Sequence, residues 1–134
     1  MVTGPSPFPA AHRGGRCVIR QGDVYWVDLG EPAGSRPGFL RPYVVIQNNV
    51  FNLSRINTVV VCPLTSNLRR GQAPGNVTLR QGEANLSNPS VVNISQLYTV
   101  DKAALQDKIG TLSERRVLEI IRGMQLLMEP RDID

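Results

Sequence analysis

Two apolar runs in this chain end in residues able to do chemistry. The first reads Arg41-Pro42-Tyr43-Val44-Val45-Ile46-Gln47-Asn48 and opens on a guanidinium. The second reads Thr58-Val59-Val60-Val61-Cys62-Pro63-Leu64-Thr65-Ser66-Asn67 and closes on a Thr-Ser-Asn triplet. A fixed guanidinium donates two parallel hydrogen bonds to an anionic centre. Thr65 could bond a phosphate oxygen or an attacking hydroxyl, or could bond its own backbone as strand-end threonines do. Ser35, Ser66 and Asn67 could support the same site.

The surroundings are cationic. From Ser35 to Arg80 the chain holds Arg36, Arg41, Arg55, Arg69, Arg70 and Arg80 and neither Asp nor Glu, within an overall formal charge of +4. Such a concentration is either a solvated basic face or an anion-binding surface, with RNA phosphate as the leading candidate. Arg69 and Arg70 read as a phosphate clamp flanking a cleft, or as an ordinary loop. Phe39 either stacks on a base or anchors its loop. The usual proton-transfer groups are His, Glu, Asp and Lys; none lies between Ser35 and Arg80. Any reaction here therefore rests on positioning and electrostatic stabilisation, with Arg36 assisting Arg41.

Composition narrows the classes. The 134 residues fit one domain. Cys17 and Cys62 stand far apart, no Cys-x-x-Cys occurs, and His12 is the only histidine. That argues against a zinc site and a disulfide scaffold and suits a reducing cytoplasm. Nothing approaches the roughly 18 apolar residues of a membrane span. The start lacks the apolar core of a signal peptide.

The elements that must position these residues follow from patterning. Residues 1–16 carry Pro and Gly without hydrophobic period and read as a disordered tail, leaving 17–134 as a single domain. Asp23 to Leu29 should be the first strand, Arg41 to Gln47 the second and Asn57 to Leu64 the third, the last buried on both faces. One helical turn fits between the second and third. Gly30 to Leu40 and Ser66 to Asn76 are long loops. Val77 to Arg80, Ser90 to Ser95 and Lys108 to Leu112 are shorter strand candidates. In the first strand Tyr25 and Trp26 alternate, so one faces the core. Thr111-Leu112-Ser113-Glu114 has capping-box spacing, Val117, Ile120, Ile121, Met124, Leu127 and Met128 recur at helical spacing, and Pro130 marks the helix end. The fold class is mainly β with α, a small barrel with one terminal helix.

With these pieces in order, the sequence resembles the MazF/PemK-type toxins of bacterial toxin–antitoxin systems, which are sequence-specific endoribonucleases. The resemblance runs from Arg20 to Pro130. Its motifs are Arg20-Gln21-Gly22-Asp23-Val24-Tyr25-Trp26-Val27-Asp28-Leu29, Gly34-Ser35, Arg41-Pro42 with Val44-Val45-Ile46-Gln47-Asn48, and Val61-Cys62-Pro63-Leu64-Thr65-Ser66-Asn67. Ser90-Val91-Val92-Asn93, Thr99 to Leu105 and Ile109-Gly110 complete the series. It implies an SH3-like β-barrel (PemK/CcdB-like), a homodimer, an acidic MazE-like antitoxin, and cofactor-free, metal-independent cutting of single-stranded RNA (mRNA, tRNA or rRNA). Cutting would proceed by 2′-OH attack and leave 2′,3′-cyclic phosphate and 5′-OH ends. The family's catalytic pair falls on Arg41 and Thr65. Where the family commonly has Glu-Gln after Gly-Ser, this chain has Arg36-Pro37. Two other readings stand beside it: a non-catalytic CcdB-like toxin binding DNA gyrase, and a degenerate member that binds RNA or antitoxin without turnover.

Overall fold

The structure, a computed structural model of the chain, describes residues 18–30, 34 and 39–131. The expected tail, most of the Gly30–Leu40 loop, and with them His12, Cys17, Glu31, Ser35 and Arg36, lie outside the described residues. Among the described residues seven strands form, in chain order β1 (Asp23–Asp28), β2 (Leu40–Val45), β3 (Thr58–Thr65), β4 (Val77–Leu79), β5 (Ser90–Val92), β6 (Tyr98–Asp101) and β7 (Lys108–Thr111). The short helix α1 (Asn49–Asn52) joins β2 to β3, and the helix α2 (Glu114–Met128) ends the chain. All pairings are antiparallel, in the order β4-β5-β3-β2-β1-β7, with β6 on the other part of β3. The sheet curls around its core as a half-barrel with α2 against it, as the sequence pattern and the resemblance imply.

Residues alternate across a strand, so the central sheet has two apolar faces. Val24, Val44, Ile46, Cys62 and Leu64 meet Leu79, Leu86, Ile94, Leu112 and Ile120 on one side. Tyr25, Val27, Tyr43, Val45, Val59 and Val61 meet Ile19 and Leu105 on the other. Burial on both faces explains the near-continuous apolar run of β3. It also pushes the Cys62 thiol up to about 12, where it is a small hydrophobe and not a nucleophile. Tyr25 is the core member of its pair, and Trp26 points to the surface at 36% exposure.

Two local expectations change. Ser113, not Thr111, caps α2: its hydroxyl accepts from Arg116 N–H. Thr111 instead belongs to β7 and donates its hydroxyl to the buried Asp23 carboxylate at 2.8 Å. β6 was not anticipated. Its four residues are only half-buried and run into Lys102, whose buried ammonium donates to the Asn52 and Ser54 carbonyls at 3.1 and 3.3 Å. That contact fastens the end of α1, and burial lowers the Lys102 pKa to about 8.

Candidate active site

β2 and β3 run antiparallel with Tyr43 opposite Pro63, and Arg41 and Thr65 each lie two residues beyond that pair on their own strands. Both therefore stand at one end of the sheet, on the face shared by Tyr43 and Val61. Arg41, Thr65 and Arg70 line one cleft of about 160 Å³ together with Pro63, Asn93 and Gln96. A second cleft of about 210 Å³ lies on the other side of Arg41 and includes Ser66, Trp26 and Asn88. Arg41 is thus a wall of both.

The Thr65 hydroxyl accepts the Asn67 N–H at 3.1 Å. That bond occupies a lone pair and leaves the hydroxyl proton to donate. Asn67 in turn accepts from Arg69 N–H at 3.2 Å and caps the 3₁₀ turn Leu68–Gln72. The Thr-Ser-Asn triplet is therefore divided by role. Thr65 and Ser66 face the two clefts, while Asn67 starts the turn that brings Arg70 round to Thr65. Arg69 is exposed on that turn and lines neither cleft, and Phe39, 62% exposed, precedes β2 and also lines neither.

Asn76 pins this loop. Its amide donates to the Arg70 carbonyl at 2.9 Å while its Oδ1 accepts Ile94 N–H at 2.9 Å. The Arg70 turn is thereby fastened to the segment after β5, which carries Asn93 and Gln96. Asn93 is buried, and its amide donates to Gln96 Oε1 at 2.7 Å. Sequence reasoning did not select Asn93 or Gln96 as site residues. They lie far along the chain from Arg41, and only the β3–β5 pairing, Leu64 with Val92, brings them to the cleft. Among the described residues lining the two clefts there is no His, Asp, Glu or Lys. The described wall is cationic on the Arg70 side and neutral, amide- and hydroxyl-bearing on the Trp26 side. It can bind an anion and stabilise developing negative charge.

The fold is a half-barrel closed by a terminal helix, with an arginine and a threonine at adjoining strand ends. The profile described as "PemK-like, MazF-like toxin of type II toxin-antitoxin system" matches residues 20–128. The chain belongs to that family. It is 38% identical over 112 residues to Endoribonuclease MazF6 of Mycobacterium tuberculosis, covering 84% of this chain and 98% of the relative. It is 32% identical over 117 residues to Endoribonuclease MazF of Staphylococcus epidermidis, covering 87% and 97%. In fold it is similar to an endoribonuclease in complex with its cognate antitoxin from Mycobacterial species, with TM-score 0.69, 23% identity and coverage of 85% and 99%. It is equally similar to MazF from Deinococcus radiodurans, with TM-score 0.69, 22% identity and the same coverage. The gyrase-binding alternative is not favoured by these relatives, which are endoribonucleases.

Proposed function

We propose that this endoribonuclease cuts single-stranded RNA at the strand-end cleft, with Arg41 and Thr65 as its catalytic residues. The observation that carries the reading is their convergence, from separate strands, on one cleft that also holds Arg70. The 2′-OH of the substrate attacks the adjacent phosphorus. The 2′-O–P bond forms, the bond from phosphorus to the 5′-oxygen breaks, and that oxygen leaves as a 5′-OH after taking a proton. Negative charge grows on the non-bridging oxygens as the fifth bond forms. Arg41 answers it with paired N–H donors and Thr65 with its hydroxyl proton, and one such preorganised donor is typically worth about 3–4 kcal/mol. Arg70 holds the phosphate from the opposite wall. The proton lost by the 2′-OH passes to solvent, and solvent returns one to the departing 5′-oxygen. Ser66 contacts substrate from the neighbouring cleft. Ser35, Arg36, Phe39 and Arg69 approach the RNA from the flanking loops, and Asn67 holds the turn.

The rest of the reading follows from the family. The chain acts as the toxin of its pair in the cytoplasm, as a homodimer, and is silenced by an acidic antitoxin segment that competes for the cationic cleft. Leu127 and Met128, at the end of the α2 stripe, remain exposed and are available to such partners. Among the described residues no helix is long and apolar enough to cross a membrane. The test is the chemistry of the fragment ends. Purified protein in EDTA should convert a long single-stranded RNA into discrete fragments with 5′-OH and 2′,3′-cyclic phosphate ends. A single 2′-deoxy substitution at the cut should block the reaction. Fragments with 5′-phosphate ends, or cutting at the 2′-deoxy position, would overturn 2′-OH attack.

A further inference from the structure

The cleft that holds Arg41, Thr65 and Arg70 is held in shape from behind by a residue that does not line it. We infer that Asn76 is a positioning residue for RNA cleavage, setting the place of Arg70 through the backbone of the turn that carries it. The inference rests on the assignment of Arg70 to the substrate phosphate.

Arg70 is exposed, as are Asn67, Leu68 and Arg69 before it, and its turn belongs to no strand. The Asn67 cap sets where the turn begins. Gly71 lies against β4, where a Cβ on it would stand 2.5 Å from Thr78 Oγ1. That contact is close packing and has no direction. Direction comes from the Arg70 carbonyl, which accepts Ala73 N–H at 3.1 Å and the Asn76 amide at 2.9 Å. The first bond is local and moves with the turn. The second ties the turn to the body of the molecule, because Asn76 Oδ1 accepts the N–H of the buried Ile94 at 2.9 Å. The Asn76 amide also donates to Asn93 Oδ1 at 3.4 Å. An asparagine amide offers two N–H donors and one oxygen, and here all are engaged. Asn76 thus touches two residues of the phosphate cleft, Arg70 and Asn93, without lining it.

Asn76 is itself firmly seated. Gly75 before it turns the chain at φ 79° and packs on Gly123 of α2, where a Cβ on Gly75 would stand 3.2 Å from the Gly123 carbonyl oxygen. Val77 after it opens β4 and pairs with Val92 of β5. Helix and sheet therefore hold the backbone of Asn76, and its amide carries that constraint across to Arg70. The far end of the clamp is not core. It is the exposed turn whose arginine reaches the cleft, so releasing it leaves the sheet and α2 in place and frees Arg70 to shift. Cleavage is sensitive to such a shift, since displacing a substrate-holding group by about 1 Å can cost about 10²-fold in rate.

The test is a double-mutant cycle, read as the rate constant for cutting one defined single-stranded RNA below saturation. Asn76→Ala should lower that constant about 10-fold, inside the loss a displacement of about 1 Å can bring. Arg70→Ala should lower it as well. In the Arg70→Ala background, Asn76→Ala should cost less than about 2-fold, because the group it positions is gone. Asn76→Asp guards against a folding defect. It keeps the acceptor for Ile94 N–H and deletes both donors, and the charge it adds acts in both backgrounds and cancels from the cycle. It should show the same coupling to Arg70, and thermal melts check that each variant is folded. An equal loss with and without Arg70, or no loss from either Asn76 variant, would overturn the positioning role while leaving Arg70 on the phosphate. Arg70→Ala protein cutting at the wild-type rate would instead reject the assignment of Arg70, and the inference with it.

Discussion

On the proposed mechanism, the Thr65 hydroxyl serves fold and chemistry together. It accepts the N–H of Asn67, the residue that caps the turn carrying Arg70. Its remaining proton points the residue toward donation, not toward a role as base. Thr65→Val keeps the shape and deletes the donor. Single-turnover cleavage should slow by roughly 10²- to 10³-fold, the worth of one preorganised donor to the developing charge. Affinity for non-cleavable RNA should stay within about 2-fold. Lost affinity with an unchanged rate constant would make the hydroxyl a ground-state contact. The strand-end placement of Arg41 and Thr65 was legible in the sequence because each is a polar residue at the boundary of an apolar run. Asn93, Gln96 and Asn88 were not. Each is an ordinary polar loop residue locally, and only long-range strand pairing assigns it to a cleft.

The elements show the same division between local and distant causes. The 3.6-residue recurrence from Val117 onward places α2, and runs of β-formers place β1, β2 and β3. β6 is short, half-exposed and followed by a lysine whose burial depends on α1, so no local pattern marks it. The same holds for the seat of α2. Gly123 in mid-helix meets the Gly75 turn so closely that a Cβ on Gly123 would stand 2.3 Å from the Gly75 carbonyl oxygen. Alanine would raise helix propensity by up to about 1 kcal/mol. Overpacking against backbone costs about 1–3 kcal/mol and cannot be relieved by a side-chain rotation. The second effect wins. Gly123→Ala should lower the melting temperature by several degrees, on the usual scaling for a domain of this size. A variant as stable as wild type or more so would show that the helix can shift away from the turn at no cost.

At the scale of the molecule, charge and topology combine into one surface. The acid-free stretch from Ser35 to Arg80 is legible as a cationic segment. The sheet order then decides which of its arginines act together, bringing Arg41 and Arg70 to one cleft while Arg69 and Arg55 remain exposed elsewhere. Fold class was readable because alternation, turn residues and the terminal helix agree with one another. The order β4-β5-β3-β2-β1-β7 was not, because several pairings of short strands satisfy the same pattern. The central claim is that the strand-end arginine does the chemistry. The direct measurement is single-turnover cleavage of one defined RNA, in EDTA, by wild type and Arg41→Ala, with thermal melts of both. Arg41→Ala should cut at a rate lower by at least about 10²-fold, with stability within about 0.5 kcal/mol, as for an exposed surface substitution. A folded Arg41→Ala protein that cuts the RNA at close to the wild-type rate would contradict it.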